Sequence, residues 1–383
     1  IEIIYFLSFK IGLNWEMNSS ALFLIKLVTK CNFSSQNSIE TDTIYKYITL
    51  ILTPLSILSN TFAFVVFKES IWKKSVMSKI LRMLSLFEIL FNVNVLLEAS
   101  IRHKIEEQHP SMVELVIFIY VITAAKVLMI VFLIARNWTV VILAGYRYEA
   151  VCRPVGSCKY IRYNNINLAF CFIFALSILI ALPRMMETKI EICQPTLSVN
   201  RFVPFLISYK WYLYLHTGIL LFLIQNGGPV ILVCFLSSCV LKVIRKMKKI
   251  RKSNFNLADK KGSPQPSGDR LIVILSAAFF VLETPAFFSK ILHHYFEYQG
   301  YYNLDIHIGL LANTLIYLDS IINVAVYVIS NPTFRISSKA LLSKLICKVS
   351  SQRGQDPMSS YVTYTINQTN RNCRAIKYFD NVY

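Results

Sequence analysis

The sequence predicts an all-α, polytopic membrane protein folded as a seven-transmembrane helix bundle. Three observations carry that prediction. The 383 residues are 55% hydrophobic and only 16% charged, whereas a soluble protein carries about a quarter charged residues. The apolar residues fall in blocks close to the ~20 residues that cross about 30 Å of hydrocarbon. Lys and Arg collect in alternate loops, the positive-inside pattern of a membrane protein. That placement also decides what the net charge of +19 means: it marks membrane topology and anionic lipid, not nucleic acid.

Taken in order, residues 1–43 form an outer tail, residues 44–345 the membrane domain with a short membrane-parallel helix, and residues 346–383 a cytoplasmic tail. The predicted spans are 46–67, 79–99, 113–146, 166–183, 212–241, 270–292 and 308–329. An odd number of spans puts the two tails on opposite sides. The loops after spans one, three and five, with the C-terminal tail, hold most of the Lys and Arg, so that face is cytoplasmic and the N-terminus extracellular. Asn18 and Asn32 then lie in extracellular N-glycosylation sequons. Of the nine cysteines, Cys31 and Cys193 fall in segments assigned to the outside, so one extracellular disulfide at most is available. Pro264 and Pro266 interrupt the loop Ser253–Asp269, and span six should begin near Asp269. The tail from about Ser350 is rich in Ser, Thr, Asn and Gln and is predicted to be disordered.

Five ionisable residues lie inside the spans: Glu88, Lys126, Arg136, Glu283 and Asp319. Such groups are costly in hydrocarbon and are by default paired or functional. Both signs are present, so pairing is the expected answer, while Lys126, nearer the outer end, either snorkels or faces a cavity. Pro54, Pro229 and Pro285 sit within spans one, five and six, where proline frees a carbonyl and bends the helix. Pro285, two residues after Glu283, makes span six a hinge candidate. There is no catalytic constellation, no Gly-rich phosphate loop and no HExxH motif, so neither enzyme activity nor a cofactor is expected. His293, His294 and His307 read as outer-loop residues, and no metal site is predicted.

Several residues in order then point to a family. Asn60 stands in span one, followed by Leu84-Ser85-Leu86-Phe87-Glu88, Tyr146-Arg147-Tyr148 and Pro154. Phe279-Phe280-Val281-Leu282-Glu283-Thr284-Pro285, Asn323-Val324-Ala325-Val326-Tyr327 and Phe334-Arg335 complete the series. Over residues 45–340 this pattern resembles the rhodopsin-like G protein-coupled receptors. Leu182-Pro183-Arg184 and Thr284-Pro285-Ala286-Phe287 are similar to invertebrate FMRFamide-like neuropeptide receptors.

The resemblance implies a plasma-membrane receptor for a short amidated peptide, with a heterotrimeric G protein inside. Tyr146, Arg147, Tyr148 and Tyr327 would be its coupling residues, and Pro229, Phe279, Pro285 and Asn323 its switch. Glu98, Tyr120, Glu187, Phe287, Phe288 and Tyr317 would line the ligand site, with Cys347 a palmitoylation site.

Departures from the family matter as much. No Cys stands near Ile122, where the family has one, so a Cys31–Cys193 bond is the alternative to two unpaired thiols. Tyr146 replaces the acid that normally restrains the neighbouring Arg, which implies raised basal activity. In the family the span-two acid binds sodium with help from spans three and seven. Here Arg136 and Asp319 occupy those helping positions, so Glu88, Arg136 and Asp319 should converge, with Glu283 one turn above. A guanidinium can bridge two carboxylates and would fill the place of the cation. Two other readings stay open: a chemosensory receptor for small molecules, and a transporter or channel using the same cluster. The lack of a visible internal repeat counts against the last.

Overall fold

In the computed structural model most of the spans are helices that outrun the lengths hydropathy assigns to them. The structure describes residues 39–69, 72, 75–108, 111–152, 165–186, 188–193, 198–204, 209–254, 267–299 and 302–353. The helices are α1 (Ile39–Val66), α2 (Val76–Gln108), α3 (Met112–Cys152) and α4 (Asn165–Ala181), then α5 (Gly228–Asn254), α6 (Ser267–Gln299), α7 (Tyr302–Ser330) and α8 (Pro332–Arg353). Span five begins before α5, at Lys210, and its first half is irregular.

The extra length has local causes. Hydropathy ends span two at 99 because Arg102, His103 and Lys104 follow, but no Pro or Gly breaks the helix there. Ion pairs one turn apart carry it on, Glu98 with Arg102 at 2.8 Å and His103 with Glu107 at 3.3 Å. At the start of α3, Glu114 accepts from both the backbone N–H and the hydroxyl of Ser111, at 3.0 and 2.8 Å, closing a cap. Similarly, α8 is 22 residues long and runs through the predicted boundary at 345.

Among the described residues, six helices are long and apolar enough to cross a bilayer. The seventh, α6, has a shorter apolar stretch, Val273–Ser289, with Glu283 in its middle, and spans by its full 33-residue length. The helices close into a ring in which α1 meets α2 and α7, and α6 meets α5 and α7. Helix α3 crosses the middle and touches α2, α4, α5 and α6. The 41-residue α3 is therefore the axis of the bundle.

One element departs from the all-α expectation. Between spans four and five, β1 (Thr188–Cys193) and β2 (Ser198–Pro204) pair antiparallel, with an irregularity at Ile190/Glu191. The alternation Lys189-Ile190-Glu191-Ile192 is the period-two signal of a strand, too short to register beside seven apolar blocks. This hairpin lies at the end of the bundle away from Arg147.

At the Arg147 end, aromatic packing ties the loop after α1 to α7 and α8. The Phe67 ring lies 5.3 Å from Tyr327, 5.5 Å from Trp72 and 5.1 Å from Phe334. The Trp72 indole donates to Ser337 Oγ at 3.1 Å, and Lys344 reaches Glu69 at 3.8 Å.

Candidate functional site

A polar layer crosses the middle of the bundle, and Arg136 of α3 is its centre. The side chain is fully buried. Its Nε stands 3.0 Å from Glu88 Oε1 on α2, and its Nη2 donates to Glu283 Oε1 on α6 at 2.6 Å and to Asp319 Oδ2 on α7. Glu88, Glu283 and Asp319 are themselves buried. One guanidinium thus joins four helices through three carboxylates. Its planar fork of donors makes this possible, where a lysine would present a single point charge.

Neutral groups complete the layer. Asn323 Nδ2 donates to Glu88 Oε1 at 3.0 Å, and Asn226 Nδ2 of span five donates to Glu283 Oε2 at 3.0 Å. On the α1 side, Asn60 donates to the Ser320 carbonyl at 3.0 Å, Ser56 and Ser320 share a hydroxyl contact at 2.5 Å, and Asn92 donates to Ser320 Oγ at 3.1 Å. Every span except the fourth contributes a side chain. Such partners matter because hydrocarbon offers no water to replace a missing one.

The residues after Arg136 anchor span five. That span is π-helical over Leu213–Leu220 and Phe222–Gly227 before α5 begins, a geometry that is rare beyond a single turn. Pro229 has no N–H, so of the Ile224 and Gln225 carbonyls, five and four residues earlier, one loses its backbone donor in either helical register. Helix α3 supplies donors to both. Asn137 Nδ2 donates to Gln225 O at 2.7 Å and Trp138 Nε1 to Ile224 O at 2.9 Å. Asn137→Leu should therefore lower stability by about 1–3 kcal/mol, the cost of an unsatisfied buried carbonyl. Melting of the purified protein measures it, and an unchanged midpoint contradicts the capping role.

Other residues expected at a site are placed as follows. Arg147 is half-buried near the end of α3, with Nη2 2.7 Å from Met77 Sδ and its guanidinium carbon 5.8 Å from the Tyr146 ring centre. Tyr148 follows it on the same helix, and Tyr327 is fully buried on α7. Phe279 is buried and Pro285 lies inside α6.

The outer set does not assemble as one lining. Glu98 is already engaged, by Arg102 Nε at 2.9 Å and by Lys126 at 3.7 Å. Tyr120 sits about 160° round α3 from Arg136 at 3.6 residues per turn, and it is 63% exposed on the outward face. Phe288 is turned outward in the same way, about 140° from Glu283, and is exposed. Helical phase, ignored when aromatic residues near the span ends are counted, removes both from the bundle interior. Phe287 does face inward, packed 4.7 Å from Phe222, and Tyr317 is buried against Phe91 at 6.2 Å. Asn18, Cys31, Asn32, Pro154 and Glu187 lie outside the described residues, as do the side chains of Cys193, Asp269 and Cys347.

Comparison with known proteins agrees with this layout. Residues 59–327 match the 7 transmembrane receptor (rhodopsin family). The chain belongs to that family. It is a multi-pass membrane protein of a signalling receptor family, not an enzyme. Opsin-VA of Rutilus rutilus is 25% identical over 225 residues, covering 56% of this chain and 53% of the opsin. The match thus spans about half the length of that relative.

Two features of the site were not anticipated from sequence: Asn226 as a ligand of Glu283, and the capping of span five by Asn137 and Trp138. The run Gln225-Asn226-Gly227-Gly228-Pro229 carried the signal. Two amides and two glycines before a proline inside an apolar span mark a segment whose backbone needs outside partners.

Proposed function

We propose that this rhodopsin-family chain passes an extracellular signal to a heterotrimeric G protein, with the hairpin end outside and the Arg147 end in the cytoplasm. The observation that carries the mechanism is the buried Arg136 cluster. It holds α6 to α3, α2 and α7 through Glu283, two residues before Pro285. In this arrangement the cluster is a latch on the resting state. An agonist that binds better when α6 has swung at Pro285 shifts the population away from it, opening the bundle beside Arg147, Tyr148 and Tyr327. Tyr146, in the place of the family's acid, leaves more of the restraint to the buried cluster. Glu283→Gln weakens the arm on α6 and should raise ligand-independent nucleotide exchange several-fold; unchanged or lower basal exchange contradicts the latch.

For the ligand, the reading is a short amidated peptide. Its support is the Leu182-Pro183-Arg184 and Thr284-Pro285-Ala286-Phe287 segments, together with the inward-facing Phe287. A peptide guanidinium would have to exchange with Arg102 and Lys126 for the Glu98 carboxylate. A second reading is a small-molecule ligand, as for a chemosensory receptor.

The test is nucleotide exchange on reconstituted G proteins while amidated peptides and small molecules are screened. Exchange stimulated by a peptide supports the first reading, and stimulation by small molecules alone the second. Solute flux through proteoliposomes without coupling to any G protein would replace both with a transport function.

A further inference from the structure

Lys242, Arg245, Lys246 and Lys249, four of the basic residues that end span five, lie on the outward side of its helix. From Trp211 to Leu241 the sequence contains no Lys, Arg, Asp or Glu; then seven of the eleven residues Lys242–Lys252 are Lys or Arg, and the next acid is Asp259. Helix α5 runs unbroken from Gly228 to Asn254, so the direction of each side chain follows from helical phase. Val233 and Val240 are buried and fix the inward face, while Ile231 at 58% and Phe235 at 63% exposure fix the outward, hydrocarbon-facing one. At 3.6 residues per turn, Lys242, Lys246 and Lys249 fall within about 60° of Ile231 and Phe235, with Arg245 about 40° further round. All four basic residues are exposed. The apolar Met247 and Ile250 lie off this line.

The lipid-facing stripe of span five thus turns basic where the apolar run ends. Lys242 to Lys249 rises about 10 Å along the helix, comparable to the headgroup layer, which adds about 5–8 Å to each side of the hydrocarbon. A protein entering the bundle beside Arg147 would meet the opposite face, around Val240 and Ile244. The stripe faces away from such a partner and toward the membrane.

We propose that Lys242, Arg245, Lys246 and Lys249 form a binding site for anionic phospholipid headgroups of the polyphosphorylated inositol class. Four cations stacked over two turns match several negative charges on one headgroup, whereas a singly charged headgroup would satisfy one of them. Each basic residue at a membrane surface contributes about fivefold in affinity, so removing four should weaken retention by two orders of magnitude or more. The proposal rests on the inner placement of the Arg147 end stated above.

The test uses the full chain in phosphatidylcholine nanodiscs containing a few per cent phosphatidylinositol bisphosphate, phosphatidylserine at matched charge, or neither. Bound lipid is counted by native mass spectrometry. The lipid is present in both leaflets, so an error in orientation cannot hide binding. K242Q/R245Q/K246Q/K249Q should lose bisphosphate retention on the order of a hundredfold, and matched neutralisations of Arg335, Lys339, Lys344 and Lys348 on α8 should leave it largely intact. Phosphatidylserine should be held more weakly, and soluble inositol trisphosphate should compete poorly. Equal retention by both variants, equal loss in both, or full competition by the soluble headgroup would overturn the proposal. So would loss of G protein association by the α5 variant in discs of phosphatidylcholine alone, which would assign the stripe to a protein partner.

Discussion

Arg136→Met should abolish folding or leave a receptor recoverable only in trace amounts. The substitution strands Glu88, Glu283 and Asp319, all buried, without the guanidinium that joins them. Breaking one buried pair by deleting a partner costs about 3–5 kcal/mol, and three carboxylates lose their partner here. Most domains are stable by only about 5–15 kcal/mol, so a loss of this size removes most of the margin. Like charges left within one layer also repel. Rescue separates electrostatics from lost packing: adding Glu88→Gln, Glu283→Gln and Asp319→Asn removes the stranded charges and should restore most of the monodisperse yield, since neutral replacement of a whole buried ionic group is often tolerated. Arg136→Lys should rescue poorly, because an ammonium lacks the fork that reaches three carboxylates. A single Arg136→Met variant that matches wild type in yield and melting would show that the cluster does not hold the helices.

Gly228→Ala should be nearly as damaging, through the backbone alone. A Cβ added at Gly228 would lie 2.3 Å from the Leu223 carbonyl oxygen, a distance no real Cβ tolerates. The cause is the π-helical turn, in which the Gly228 N–H bonds to Leu223 O five residues back. To admit the methyl, span five must rewind, and rewinding moves the Ile224 and Gln225 carbonyls away from Trp138 and Asn137 and Asn226 away from Glu283. Strain and lost caps together predict a loss on the order of 3 kcal/mol. At Gly227 the nearest obstacle is the Phe287 ring at 2.9 Å, a side chain that can turn, so Gly227→Ala should cost less. Melting of the two variants side by side gives the order, and the reverse order would contradict the rigid register of span five.

The bundle and its charged centre were legible in the sequence because each rests on a signal that survives without coordinates. Seven apolar blocks specify seven spans, and basic loops alternate between them. Arg136 stands eleven residues before Arg147 and Asp319 four before Asn323, positions that the family resemblance, rather than spacing alone, sets beside Glu88. Glu283 was legible only as a neighbour of the cluster, yet it is bound to the same nitrogen of Arg136 as Asp319. The outer end was read poorly for a physical reason. Proximity to a span end says nothing about direction, and the phases of Tyr120 and Phe288 turn them outward. Span five was opaque as well, because a π-helical stretch shifts every later residue relative to a helix drawn at 3.6 residues per turn.

The central claim is that Arg136 occupies, as a built-in cation, the place where the family's span-two acid would otherwise take sodium. The most direct measurement is the melting of the purified, ligand-free receptor in sodium chloride against choline chloride at equal ionic strength, for wild type and for Arg136→Ser. A cation that binds only the folded state raises its stability in proportion to occupancy. Wild type should melt at the same temperature in both salts, while the small fraction of Arg136→Ser that is recovered should melt higher in sodium. A sodium-specific rise in wild-type melting would contradict the claim, because it would show that the cation still finds room beside Glu88.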